Sequence, residues 1–247
     1  MDAGFPPQRL ARVAEREKNM AHVLMAVTGA DAIVLTDGST HPTGFWAEEL
    51  VELHRGLVAA GHRVDIATPG GVRPTVDPGS LSGDSAQALR DYLASIDGLL
   101  AHPRALADVR DGEYDAIALP GGHGPMVDLA VDADLGRLLI DAVDRDAVVG
   151  VLCHGPAGLL SAVREDGSFA FAGRWLAVFT DDEERQGGLG DTSPYLVESR
   201  LRELGAVVEP GEPWSVTVAT DGALVSGQNP QSSVATAQRL VEVLAGR

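Results

Sequence analysis

Short, almost unbroken apolar runs that each end in glycine or proline, separated by stretches of helical periodicity, constrain this chain more than any other feature. The runs are HVLMAVTG (22–29), RVDIATPGG (63–71), YDAIALPGG (114–122) and AVVGVLCHG (147–155); RWLAVFT (174–180) and segments near 214–219 and 223–227 are also strand-like. Helical patterns fall over 43–60, near 84–95, near 132–145, and over 156–164, 192–205 and 232–245. A strand with one face in water alternates apolar and polar residues, whereas a strand apolar throughout has to be covered on both faces. Such strands, each followed by a helix, predict an α/β fold: a doubly wound, mostly parallel sheet flanked by helices.

Nothing divides the chain further. There is no repeat, low-complexity tract or linker, and 247 residues with 45% apolar content suffice for one large core, so a single domain over residues 21–247 is expected. Residues 1–20 carry charge but no apolar stretch of signal-peptide type and are expected to form an N-terminal extension. No apolar run is long enough to span a membrane. The net charge of −17 argues against attraction to nucleic acid or anionic lipid. One cysteine, Cys153, excludes internal disulfides and multi-cysteine metal clusters and fits a reducing compartment, so a cytoplasmic protein with no metal or cofactor is expected.

In doubly wound sheets ligands bind beyond the carboxyl ends of the strands. That rule singles out the loop from Thr28 to Thr43 with the helix start after it, PGGHG after 117–119, CHGP after 148–152, and FTDDEE after Leu176. Cys153 lies at the abrupt join of AVVGVL and GPAGLL, a strand-turn-helix corner like a nucleophile elbow, with small neighbours Gly150, Gly155, Ala157 and Gly158. A lone cysteine is more often core packing, but this position beside His154 favours a nucleophile, and the following helix start is expected to help stabilise a thiolate.

The seven histidines are His22, His41, His54, His62, His102, His123 and His154, with none beyond His154. A class I glutamine amidotransferase needs a base histidine well downstream of its nucleophile, so that activity is disfavoured, and a base has to come from His154, His123 or a carboxylate. His22, His54 and His62 read as surface residues of helices or strands. The N–H groups of Gly121 and Gly122, with that of His154, are candidate oxyanion donors. Glu48 and Glu49 fall in the first turns of a helix, where glutamates are ordinarily solvated. Asp181, Asp182, Glu183 and Glu184 read by default as a wet surface loop, although any one of them near His154 would orient its ring.

Taken together, YDAIALPGGHGPMVDL, VVGVLCHGPAGLL, TGFWAEEL and VFTDDEE resemble the ThiJ/PfpI superfamily, whose fold is flavodoxin-like and similar to class I glutamine amidotransferases. The resemblance is nearest to its stress-chaperone and glutathione-independent glyoxalase III branch, and extends from about residue 22 to the closing LVSGQNPQSS and helix. It implies a nucleophile at Cys153, the adjacent histidine at His154, a thiol-bonding glutamate at Glu49 rather than Glu48, and a supporting acid at Glu184, with Asp181 and Glu183 as competitors. Gly121, Gly122 and His123 then fall at the oxyanion and substrate side.

The function implied is conversion of methylglyoxal to lactate through a cysteine hemithioacetal, with a small aldehyde as substrate partner. Two alternatives keep the nucleophile: an amidase or peptidase, and a protein deglycase. A third, of another class, is a redox-sensing holdase chaperone in which Cys153 oxidises. The large extra domain of some bacterial chaperone members is missing from the pattern, and homodimers are common in the resembled family.

Overall fold

The computed structural model describes residues 20–247, so the expected extension lies, apart from Met20, outside the described residues. In chain order the strands are β1 (His22–Ala26), β2 (Ala32–Val34), β3 (Thr40–Pro42), β4 (Arg63–Thr68), β5 (Arg104–Ala105), β6 (Ala116–Leu119), β7 (Val148–Leu152), β8 (Trp175–Leu176), β9 (Val207–Val208), β10 (Val218–Asp221) and β11 (Leu224–Gly227). The helices are α1 (Ala47–Ala59), α2 (Ala86–Ser95), α3 (Asp97–Ala101), α4 (Ala133–Asp144), α5 (Asp181–Gly187), α6 (Val197–Glu203) and α7 (Ser233–Ala245). Seven strands form the central sheet in the order β10-β11-β7-β6-β1-β4-β5, and within it only the edge pair β10–β11 is antiparallel.

The apolar strands divide their side chains between two cores with period 2. On β1, Val23 and Met25 face Leu50, Leu53 and Leu57 of α1 and Leu240 of α7, while Leu24 and Ala26 face Leu135 and Leu139 of α4 and Leu129. Full burial of each such leucine contributes about 1.5–3 kcal/mol relative to exposure. On β7 a glycine is required: a Cβ at Gly150 would lie 2.9 Å from a Leu240 methyl, so its absence lets α7 settle on the sheet. The chain passes from β1 to β4 on one side and returns to β6 on the other. The sheet therefore reverses direction between β1 and β6, where such folds bind ligands.

The doubly wound sheet is as the sequence leads one to expect, and the departures have local causes. The 43–60 pattern becomes helical only at Ala47, because Phe45 first pairs with the 75–77 segment through Thr75 O and Asp77 N–H. RWLAVFT keeps only a two-residue ladder with β9, outside the main sheet. The rest is drawn away as Ala177 N–H donates to Ser226 Oγ (2.8 Å) and Phe179 N–H to Cys153 O (3.0 Å). The expected helix over 156–164 is instead a 3-10 segment, Gly155–Ser161, with i→i−3 bonds such as Ala157 N–H to His154 O. The helix of 192–205 starts at Val197, and the strand of 214–219 is reduced to its last residues by the turn at Trp214. No helix among the described residues is long and apolar enough to cross a membrane.

Candidate active site

Cys153 is the first residue past β7 and has φ +58°, a left-handed conformation that costs a non-glycine residue about 1–2 kcal/mol. Neighbouring backbone holds it there: its N–H donates to Gly227 O (2.9 Å) and its carbonyl accepts from Phe179 N–H. The corner also demands close approach of β6. A Cβ at Gly155 would sit 2.2 Å from Leu119 O, and one at Gly121 would sit 2.7 Å from His154 N, so only glycines allow the two turns to touch. The thiol is consequently 3% exposed.

Glu49, in the first turn of α1, is fully buried under this corner, whereas Glu48 faces outward and is half-buried. Gly121 N–H donates to Glu49 Oε2 (2.7 Å), and among the described residues Oε1 has no conventional hydrogen-bond partner. Burial pushes the Glu49 carboxyl up to about 8, against the pull of the Gly121 N–H and of Cys153, so it is protonated at neutral pH. Cys153 is pushed well above the ordinary thiol value by burial, then by Glu49 and Glu184. The resting group is therefore a thiol. The expected stabilisation of a thiolate by a helix start is opposed by burial first and by the nearby Glu184 carboxylate, and the segment that follows is the 3-10 run Gly155–Ser161 rather than an α-helix.

His154 Nδ1 lies 3.3 Å from Cys153 Sγ, and its Nε2 lies 2.5 Å from Glu184 Oε2. Glu184 Oε1 is 2.9 Å from His123 Nε2. Burial raises the Glu184 carboxyl, but His154 and His123 outweigh it and hold the group well below the usual carboxylate range. Burial and His123 together lower His154, so its ring is neutral. An ionised carboxylate only accepts, which assigns hydrogens to both Nε2 atoms and leaves His154 Nδ1 as the acceptor facing the thiol. His123, grouped in the sequence with the oxyanion glycines, is thus a second imidazole on Glu184. The ligand atoms of His123, His154 and Glu184 lie within 4.8 Å of one another, close enough for a divalent cation; the two hydrogen bonds to Glu184 already account for that proximity.

The four acids of FTDDEE are not a wet loop but the first turn of α5, and each faces a different way. Asp181 accepts from Ser199 Oγ (2.5 Å), and Asp182 is exposed and bonded to Gln186. Glu183 is fully buried and forms a capping box with Thr180; its Oε1 accepts from Trp214 N–H (2.7 Å), Gln228 Nε2 (3.1 Å) and Asn229 Nδ2 (2.8 Å). Only Glu184 is bonded to the histidines. Glu183→Ala would leave those buried donors unpaired and is expected to destabilise the fold by about 3 kcal/mol or more, a fall of about 6–12 °C in Tm by calorimetry. An unchanged Tm would refute this structural assignment.

The other candidates separate. Gly121 N–H is occupied by Glu49 and so is not free for an oxyanion, whereas the N–H of Gly122 has no acceptor among the described residues and that of His154 faces only the Cys153 sulfur. His54 and His62 are buried rather than on the surface: His54 Nδ1 meets Tyr92 Oη (2.9 Å), and His62 Nδ1 accepts from Ala21 N–H. Phe179, which the sequence did not single out, stacks on His154 with ring centres 4.4 Å apart, and Trp214 meets Phe179 edge-on at 5.5 Å.

Known proteins carry related chains. Glyoxalase 3 of Candida albicans is 26% identical over 233 residues, covering 90% of this chain and 98% of that protein. The protein/nucleic acid deglycase HchA of Pseudomonas aeruginosa is 29% identical, over 85% of this chain and 76% of its own length. Among solved structures, a rapid encystment protein of Francisella tularensis superposes with a TM-score of 0.83 at 29% identity, covering 91% of this chain and 99% of that one. The profile of the DJ-1/PfpI family matches residues 40–168, more than half of the chain, and with a sheet and cysteine corner of this form the protein belongs to the DJ-1/PfpI family.

Proposed function

We propose that this protein is a glutathione-independent glyoxalase that converts methylglyoxal and water to lactate at Cys153. The observation that carries the reading is Glu49: a buried, protonated carboxyl beside the thiol, with one oxygen fixed by Gly121 N–H and the other facing no donor among the described residues but the thiol. A cysteine hydrolase needs a nucleophile, a histidine and an acid. A second carboxyl poised to move a proton between adjacent carbons is what an aldehyde isomerisation requires in addition. The nearly closed thiol suits a three-carbon aldehyde better than an adduct on a protein side chain. The names of the Candida albicans and Pseudomonas aeruginosa relatives point to the same chemistry of reactive carbonyls.

The steps follow from where the protons sit. As Sγ adds to the aldehyde carbon, the thiol proton passes to His154 Nδ1 and Glu49 gives its proton to the aldehyde oxygen, forming a hemithioacetal. Glu49, now ionised, removes the hydrogen on that carbon, and the enediolate is held by the N–H groups of Gly122 and His154. Glu49 returns the proton to the neighbouring carbon as the hydroxyl proton crosses to the adjacent oxygen, which yields a lactoyl thioester. Water then cleaves the thioester, the sulfur recovers its proton from His154, and lactic acid leaves. Purified protein given methylglyoxal in buffer free of thiols is expected to form one lactate per aldehyde consumed, measured by chromatography. Consumption without lactate would overturn the reading.

A further inference from the structure

We infer that His123 is the base that activates water for the last step, cleavage of the lactoyl thioester on Cys153. This rests on the glyoxalase reading above and assigns a task that reading leaves open.

His154 is enclosed on every side. Its two nitrogens are taken by Cys153 Sγ and Glu184 Oε2, and its two neighbouring rings, His123 at 4.2 Å and Phe179 at 4.4 Å, lie against it. Its side chain is 3% exposed. It exchanges protons with the sulfur and with Glu184, and is nearly closed to solvent. His123 shares the same carboxylate through Nε2, yet its side chain is 15% exposed and its Nδ1 has no hydrogen-bond partner among the described residues and is not buried. His41, itself half-buried, meets it edge-on with ring centres 6.3 Å apart. A molecule of water arriving from bulk at the acylated cysteine therefore meets His123 Nδ1, the ring nitrogen turned away from Glu184.

The step balances as a general-base hydrolysis. Water oxygen bonds to the thioester carbon while His123 Nδ1 takes one water proton; the carbon–sulfur bond then breaks, and the sulfur receives the proton that His154 has carried since the first step. The proton left on His123 returns through solvent to Glu49, which regains its resting protonated state. Glu184 thus supports two imidazoles with opposite tasks in one step, an acid toward sulfur and a base toward water.

The test is His123→Gln with methylglyoxal, followed by intact-protein mass spectrometry, hydroxylamine treatment and steady-state lactate. The expected result is a first turnover that loads Cys153 within a few-fold of the wild-type rate, an adduct that hydroxylamine releases as lactohydroxamate, and steady-state lactate lower by on the order of 100-fold. In His123→Ala, added imidazole is expected to restore turnover in proportion to its concentration. Wild-type turnover by His123→Gln would overturn the assignment while leaving the glyoxalase reading intact. Lost turnover without a hydroxylamine-sensitive adduct would also overturn it, since the defect would then precede the thioester. Absence of lactate from the wild-type protein would instead strike the glyoxalase reading.

Discussion

Cys153→Ala is expected to lower lactate formation by roughly 10⁴-fold or more, to the rate of the buffer, because every covalent intermediate hangs on the sulfur. The substitution isolates chemistry from folding. Alanine keeps the Cβ at the same φ of +58°, so the strain of the corner is unchanged, and the lost sulfur belongs to the core that β1 shares with α1 and α7. The removal costs about 1 kcal/mol, a few degrees in Tm for a chain of this size. A variant with native Tm and no turnover would fit a nucleophile; undiminished lactate would refute the mechanism. The experiment also separates the chemical readings from the holdase alternative. If suppression of client aggregation survived in the alanine variant while lactate formation was lost, the thiol would serve catalysis and not client binding.

The sheet was legible because burial on both faces writes itself into β1, β6 and β7 as unbroken apolar runs, and their carboxyl ends placed Cys153 and the 120–124 turn at one edge. The strands that escaped, β2, β3, β5 and β9, are two or three residues long and carry no period, and of the expected strand over 174–180 only the two residues of β8 remain. Their pairing is decided by tertiary contacts, as where Ser226 Oγ and Cys153 O take the N–H groups that would have extended β8.

The site was legible by residue type and less so by direction. Successive helical residues point about 100° apart, so Glu48 and Glu49 are equivalent in a motif and opposite in the fold, and only the face of α1 that meets the sheet decides between them. The same rotation sends Asp181, Asp182, Glu183 and Glu184 to four different neighbours. Glu184 and His123 are 61 positions apart, one in the first turn of α5 and the other in the turn after β6, so no spacing rule joins them. The resemblance supplied Glu49 and Glu184; the second imidazole and the occupied Gly121 N–H emerged only from geometry.

Glu49→Gln is expected to abolish turnover and, above neutrality, to stabilise the protein. Glutamine matches the protonated carboxyl in shape and can keep the acceptor for Gly121 N–H, but it cannot give and recover a proton, so lactate formation should fall on the order of 10³-fold or more. The stability effect follows from linkage. With a folded value of about 8 and an unfolded value near 4.5, the folded wild-type protein binds more protons than the unfolded chain between those limits. Its stability therefore falls as pH rises through that window: the contribution of the buried carboxyl is complete below about pH 4.5 and gone above about 8. The glutamine variant has no such proton to lose. At pH 8 it is expected to exceed the wild type by on the order of 4 kcal/mol, about 8–16 °C in Tm, and to converge with it toward pH 4.5. Melting curves across that range read the difference directly. Parallel curves for the two proteins would mean that Glu49 is not held protonated by burial, and the proton-transfer role built on that state would fall with it.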